Sequence, residues 1–175
     1  MSSKVISRQI VIDASIARSA GPEHAIHPTA KSCRDFLLCV LDVCHHAAFS
    51  DELKEEWRKH QSGFARQWKL SMFAKKKIDN VNTIPDVKLR SHIHKIDVDS
   101  VREAMLKDVH LIEAANAADG IVASLDEEVR NLFRTNAASI GAIRKTCWVN
   151  PVHEAERAVQ WLQVGALSDY DRQLW

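Results

Sequence analysis

Acidic residues follow apolar runs at several points of the chain. Asp13 ends the run QIVID, Asp126 ends GIVASLD, and a third run, HAAFS at 46–50, leads directly into SDELKEEW. An ionised carboxylate at the end of a buried strand is costly unless something pairs with it. Carboxylates brought close together raise each other's pKa, and a divalent cation removes that conflict. Oxygen ligands without Cys or His are typical of Mg²⁺ or Mn²⁺ sites.

The elements that would position these acids alternate along the chain. Apolar runs that predict strands lie at 5–12, 46–50, 120–126 and 146–151. Helical patterns lie at 30–44, 50–62, 64–78, 100–119, 127–136 and 153–167, and residues 79–100 show little regular periodicity. This alternation predicts an α/β fold, a three-layer αβα sandwich with a central parallel sheet. Ligands of such sheets bind outside the carboxyl ends of the strands, so the acids are expected to meet at one edge.

Each acid also has an ordinary structural interpretation. Asp126 can cap the helix that follows it, and Asp13 can belong to a common strand-to-helix turn. The acids of SDELKEEW can form a solvated helix face. What favours a site is the coincidence, because two strands end on Asp and a third leads into an acidic helix.

The first strand-to-helix turn excludes two large classes of nucleotide-binding protein. It contains neither G-x-G-x-x-G nor G-x-x-x-x-G-K-[ST], and the whole chain has five glycines. A dinucleotide-binding fold or a P-loop needs glycines there, so that backbone amides can approach phosphate. An acid in their place favours phosphate binding through a metal.

Composition indicates one domain over residues 1–175, with a net charge of +1 and no apolar run long enough for a membrane helix. The first ten residues lack the order of a signal peptide, so a cytoplasmic protein is expected. The four cysteines form no CxxC pair and are expected to be buried and reduced. Zinc is not expected, because His45-His46 and His92-x-His94 have no partner at ligand spacing.

Three segments resemble the PIN domain, the metal-dependent nuclease fold of many bacterial toxins and RNA-processing enzymes. They are VIDASI, FSDELKEEW and KDVHLIEAANAADGIVASLDEEVRNLF, and the resemblance extends over residues 8–152. Residues 153–175 would add a C-terminal helix and tail. The last segment is the most specific, because an acid opens an Ala-rich helix that is followed by a strand, a Ser, an Asp and another helix.

The resemblance implies a set of site residues. The metal-binding and catalytic acids would be Asp13, Glu56, Asp108 and Asp126, with Glu52 and Glu55 as alternatives to Glu56. Ser15 and Ser124 would orient a carboxylate or a bound water. Asp108 is assigned by the resemblance alone, since an acid on a helix is more often a solvated charge.

The resemblance also implies an activity and partners. The chain would be an endoribonuclease that uses Mg²⁺ or Mn²⁺ to hydrolyse phosphodiester bonds of single-stranded or structured RNA. It would belong to a toxin–antitoxin pair and bind an antitoxin protein, or it would be an inactive PIN-like scaffold that binds RNA or protein. A homodimer could use Trp161, Leu162 and Trp175, which could equally cover the core.

A basic segment at 64–78 is a further candidate for RNA binding. Its cations are interleaved with Phe64, Trp68 and Phe73, and they are Arg66, Lys69, Lys75, Lys76 and Lys77. One interpretation is a phosphate-binding face near the cleft. The other is a solvated helix whose aromatic residues lie in the core.

Overall fold

A sheet of five parallel strands lies at the centre of the protein, in the order β3-β2-β1-β4-β5. The structure is a computed structural model that describes residues 5–22 and 24–175, so part of the N-terminal segment considered above lies outside the described residues. The strands are Gln9–Ile12 (β1), His46–Phe49 (β2), Ile78–Asn80 (β3), Ile121–Ala123 (β4) and Cys147–Val149 (β5).

Helices cover both faces of the sheet, as the predicted three-layer sandwich requires. They are Ala14–Ser19 (α1), Pro28–Asp42 (α2), Asp51–His60 (α3), Gly63–Ala74 (α4), Val87–His94 (α5), Asp99–Asn116 (α6), Glu127–Asn136 (α7) and Ala158–Gln163 (α8). One layer is built around α2, which packs against α1, α4 and α8. The other is built around α6, which packs against three strands and against α5 and α7.

Burial on both faces explains the apolar sequences of the central strands. Ile10, Val11 and Ile12 of β1 are fully buried, as are the last two residues of β4. Strands covered on both faces read as continuous apolar runs instead of alternating ones. The free cysteines Cys33, Cys39 and Cys147 are buried as expected, and Cys44 is half-buried.

The helix boundaries are predicted best where a cap defines them. Ser50 caps α3 by accepting a hydrogen bond from the Leu53 amide at 3.2 Å, and α7 occupies the predicted range 127–136. The predicted helix 64–78 is too long, because Lys76 adopts a φ of 57° and ends it before β3. The predicted helix 153–167 is interrupted at Arg157, which has a φ of 44°.

Helix α5 was missed in the stretch predicted to be irregular, and an ion pair holds it in place. Arg90 on α5 donates to the buried carboxylate of Glu113 on α6, at 2.8 and 2.7 Å. The Asp86 amide donates to the same carboxylate at 2.8 Å. A contact between residues this far apart along the chain leaves no periodic signal in the sequence.

The C-terminal aromatic residues do not form one exposed surface. Trp161 and Leu162 are buried, and the Trp161 indole donates to the Leu167 carbonyl at 2.8 Å. Trp175 is about half exposed, at 53%, and packs against Tyr170. The alternative that Trp161 and Leu162 cover the core is therefore the correct one. In the part of the chain that the structure describes, no helix has the length and apolarity needed to cross a bilayer.

Trp57 joins α3 to the central strand. Its indole N–H donates to the Ile12 carbonyl at 2.7 Å, and its ring packs edge-on against Phe49 and beside Trp68. The indole is fully buried, so this hydrogen bond has no competition from water. This contact fixes the position of α3 relative to Ile12, the residue before Asp13.

We expect Trp57→Phe to lower the free energy of unfolding by about 1–3 kcal/mol, because the Ile12 carbonyl loses a buried donor. Urea denaturation measures this change. Trp175→Phe is the matched control, and its effect should stay within about 0.5 kcal/mol because that side chain is exposed. Equal losses in the two variants would show that the buried hydrogen bond contributes nothing specific.

Candidate functional site

The turns that follow β1 and β4 lie side by side at the centre of the sheet. The two strands pair in parallel with Ile12 opposite Ala123, and the Asp13 amide donates to the Ala123 carbonyl at 2.9 Å. Asp13 therefore leaves the sheet next to Ser124. Helices α1 and α7 begin within three residues of this point.

The carboxylate of Asp13 connects these two turns. Its Oδ2 accepts hydrogen bonds from the hydroxyls of Ser15 at 2.5 Å and Ser124 at 2.7 Å. Each serine in turn accepts an amide from the second turn, Leu125 N–H to Ser15 at 3.2 Å and Asp126 N–H to Ser124 at 3.1 Å. The two serines therefore hold one carboxylate oxygen of Asp13 between the two turns.

Asp126 caps α7, as its structural interpretation predicted. Its Oδ1 accepts the Val129 amide at 2.9 Å, and no described residue donates to its Oδ2. Capping and lining a site are compatible here, because a carboxylate has two oxygens. The side chain is exposed, and it lies at the edge where Asp13 emerges.

The other two acids reach this edge from different helices. Asp108 lies near the middle of α6, and Glu56 lies near the middle of α3. Both side chains are half-buried. Glu56 and Asp108 line one cavity of about 160 Å³ together with Asp13, Ser15, Ser124 and Asp126. The four acids assigned from the sequence therefore converge, although they come from four separate parts of the chain.

The structure separates Glu56 from its two alternatives. Glu55 is exposed and pairs with Arg58 at 2.5 Å, on a different side of α3. Glu52 is also exposed, and neither Glu52 nor Glu55 lines the cavity. Of the three, Glu56 alone lies with the aspartates.

Burial and crowding by the other acids both affect the pKa of Asp108. Burial, together with the nearby carboxylates of Asp13 and Asp126, raises the pKa of Asp108 to about 6, although Lys107 and His110 act in the opposite direction. No Lys or Arg among the described residues forms an ion pair with Asp13, Asp108 or Asp126. Lys107 therefore offsets only part of the repulsion between these carboxylates, and it does so without pairing with any of them.

Glu56 has a buried histidine beside it. His110 Nε2 lies 3.2 Å from Glu56 Oε1, in a close electrostatic contact without hydrogen-bond alignment. Burial acts to raise the pKa of Glu56, but His110, Lys107 and His60 outweigh it and lower the pKa. Burial likewise acts to lower the pKa of His110, and the carboxylates of Glu56, Glu52 and Asp108 raise it overall. The pair therefore favours a charged imidazolium next to a carboxylate.

The basic segment lies away from these acids. None of Arg66, Lys69, Lys75, Lys76 and Lys77 lines the cavity. Lys77 precedes β3, and its carbonyl accepts the Ala47 amide near the start of β2, so the three lysines lie at the amino-terminal edge of the sheet. Of the two interpretations of this segment, a face near the cleft does not match the position of Lys75–Lys77, because parallel strands put the acids at the opposite edge.

Two of these cations have structural roles. The Lys77 ammonium donates to the carbonyls of Val40 and Leu41 at 3.2 and 2.7 Å, and also to that of Val43, where α2 ends. Lys69 lies over the indole ring of Trp57, 5.9 Å from its centroid. The interpretation of 64–78 as a solvated helix with aromatic residues in the core holds for Trp68, which is buried, but not for Phe73, which is 74% exposed.

A second acidic cluster lies beyond β5. Ligand atoms of Glu127, His153 and Glu156 lie within 4.8 Å of one another, the one group this tight among the described residues. The buried guanidinium of Arg130 donates to both carboxylates, at 3.2 Å for Glu127. Asn150 donates to both as well, at 2.9 and 3.0 Å. Arg130 balances one of the two carboxylate charges, and the hydrogen bonds of Arg130 and Asn150 hold the chain after β5 against α7.

The four assigned acids are spaced more widely than that cluster. Their arrangement around a cavity leaves room for water between a cation and some of the carboxylates. Mg²⁺ usually keeps several water ligands and binds through only one or two carboxylates. The oxygen-only donor set, the cavity and the remaining repulsion therefore fit a divalent cation of this kind.

Sequence reasoning missed several residues at the site. Arg18, His60, Lys107 and Trp148 also line the cavity, and His110 lies behind Glu56. Helical spacing could have found His60 and Arg18, since each lies one turn after an assigned residue on the same helix. Trp148 lies on β5, and nothing in its local sequence indicates the site.

Comparisons of the sequence with models of protein families and with curated proteins found no match. The resemblance to the PIN domain therefore depends on the quoted motifs alone.

We expect Asp108→Asn to stabilise the metal-free protein at pH 8. The pKa of Asp108 in the folded protein lies above that of an unfolded Asp, so its ionisation destabilises the fold as the pH rises through about 6. The expected gain is about 1–2 kcal/mol, because water screens part of the repulsion at a half-buried group. The gain should vanish below about pH 4, where the carboxyl is protonated in both states.

Urea denaturation in EDTA at several pH values measures this effect. Asp97→Asn is the control, because Asp97 is exposed and forms no ion pair with a described residue. A gain of the same size at pH 4 and pH 8 would contradict the electrostatic explanation.

Proposed function

We propose that this protein is a divalent-metal-dependent endoribonuclease, with its site at the carboxyl edge of the central sheet. The observation that supports this most is the convergence of four carboxylates in one cavity without a protein cation paired to the three aspartates. A fold gains nothing from such crowding, which costs stability in the absence of a ligand. The cost is understandable if the acids serve to bind a cation.

Asp13, Asp108, Asp126 and Glu56 would hold Mg²⁺ or Mn²⁺, directly or through water. A cation held there supplies a Lewis acid that activates water and neutralises phosphate charge. No Ser–His or Cys–His pair is required for this chemistry.

The protein's own contribution is to fix the ligands before a metal arrives. Ser15 and Ser124 hold one oxygen of Asp13, which leaves Oδ1 without a donor among the described residues. The cap on α7 holds Asp126 in the same way. Such supporting hydrogen bonds orient metal ligands and strengthen binding by about 10–100-fold. His110 lowers the pKa of Glu56 and so favours its ionised form, as a metal ligand requires.

We expect Mn²⁺ to raise the melting temperature of the protein and Asp13→Asn to weaken that response. A metal that binds only the folded state adds about 2.7 kcal/mol of stability at a concentration one hundred times its dissociation constant. Asp13→Asn keeps an oxygen that can accept from both serines, so the metal-free fold should be retained. Differential scanning fluorimetry with and without Mn²⁺ measures the response, and cleavage of labelled RNA measures the activity.

The two measurements separate an active nuclease from an inactive scaffold. An active site requires both the thermal response and cleavage, and both should be lost in Asp13→Asn. RNA binding without a thermal response to Mn²⁺ and without cleavage would show that the chain is an inactive scaffold. Wild-type cleavage by Asp13→Asn would show that the acids at this edge are not the site.

We expect Glu56→Gln to reduce the Mn²⁺ response and cleavage, while Glu55→Gln leaves both unchanged. The two residues are neighbours on α3, but only Glu56 lines the cavity. Glu55→Gln removes one carboxylate from the same helix, so it controls for the change in net charge. Equal effects of the two substitutions would mean that total charge matters and that Glu56 is not a ligand.

A further inference from the structure

Two cationic side chains and a histidine share the cavity wall with the acids. The cations are Arg18 on α1 and Lys107 on α6, and the histidine is His60 on α3. Arg18 lies one helical turn after Ser15, and His60 lies one turn after Glu56, so each projects from the same side of its helix as a site residue. The site therefore combines a carboxylate cluster with cations drawn from two separate helices.

Arg18 and Lys107 differ from the arginines that hold the fold together. Arg58, Arg90 and Arg130 each form an ion pair with a carboxylate. Arg18 and Lys107 are exposed, and within residues 5–22 and 24–175 the side chain of neither forms an ion pair or a hydrogen bond. Their charges are thus available to a ligand that enters the cavity.

A polyanion cannot approach four carboxylates without some compensation. Cations at the wall of an acidic cavity reduce that repulsion and increase the local concentration of an anionic ligand. Arginine suits this task because its planar guanidinium can bind a phosphate through two parallel hydrogen bonds. Lysine binds phosphate as a compact point charge. Two such groups on different helices can contact different phosphates of one strand.

We propose that Arg18 and Lys107 bind backbone phosphates of a single-stranded RNA on either side of the bond held at the acids. This inference rests on the proposed nuclease function, and it names the groups that hold the substrate strand. In this proposal, Arg18 and Lys107 take the RNA-binding role that was first considered for the basic segment 64–78. Lys77 of that segment caps α2, and its three lysines lie at the other edge of the sheet. Contacts to phosphates position a strand without reading its sequence.

The test is the salt dependence of RNA binding. A short fluorescein-labelled oligouridylate is titrated with protein at several KCl concentrations, and its fluorescence anisotropy gives the dissociation constant. The titrations are run in EDTA and again in Ca²⁺, which suppresses cleavage. Each lost phosphate contact lowers the slope of log K against log salt by roughly 0.7 for single strands, so Arg18→Gln/Lys107→Gln should lower it by about 1.4.

The matched control is Lys75→Gln/Lys76→Gln, which removes the same two charges from exposed positions at the opposite edge. We expect the control to keep the wild-type slope in both buffers. The inference is overturned if the cavity variant keeps the wild-type slope, if the control loses as much, or if the wild-type protein does not bind the RNA at low salt.

The Mn²⁺ response distinguishes this failure from failure of the proposed function. Arg18 and Lys107 are not metal ligands, so the double variant should keep the Mn²⁺-induced rise in melting temperature. If the wild-type protein shows neither this rise nor cleavage, the proposed nuclease function is refuted, whatever the slopes of log K against log salt. A normal rise with an unchanged slope refutes only the role of the two cations.

Discussion

The site depends on one carboxylate that is held by two loops. Asp13 accepts hydroxyl donors from Ser15 and Ser124, and both serines accept amides from the turn after β4. This set of hydrogen bonds makes the ends of the two central strands a single rigid unit. The remaining acids are brought to that unit by helices: Asp126 by the start of α7, and Glu56 by α3, which Trp57 fastens to the Ile12 carbonyl. Without the Asp13 carboxylate, the two central turns would be joined only by the hydrogen bond from the Leu125 amide to Ser15 and through the backbone of the strands.

The two acidic clusters show opposite solutions to the same electrostatic problem. Around Glu127 and Glu156, the guanidinium of Arg130 and the amides of Asn150 satisfy the carboxylates, and the cluster holds the chain together. Around Asp13 and Asp108 no such cation is paired, and the pKa of Asp108 rises. The tighter cluster is therefore the structural one. Close approach of acidic side chains is a poor guide to function unless the charges that neutralise them are considered.

Local signals in the sequence predicted the layered fold and the two aspartates at the strand ends, Asp13 and Asp126, because apolar runs and helix caps are short-range features. The Ser50 cap of α3 and the helix at 127–136 are examples of local features that were predicted correctly. The errors arise where a distant partner decides the conformation. Helix α5 depends on the contact of Arg90 with Glu113. The predicted helix 64–78 ends early because Lys76 has a positive φ, and Lys77 then donates to carbonyls at the end of α2. Of the cations of the cavity, Arg18 could have been found from its helical spacing to Ser15, whereas Lys107 gains significance only where α6 meets the strand ends. Asp108 was found through a motif and not through any periodic pattern.

The double use of Asp126 has a consequence for how the chain can change over evolutionary time. Asn and Ser cap a helix about as well as Asp does, so folding alone does not require an acid at this position. A substitution of that kind would leave α7 in place while removing a negative charge from the cavity. Selection for stability would not oppose it. Descendants of this protein could thus lose an ionised group at position 126 by neutral drift, and only selection on what the cavity binds would preserve it.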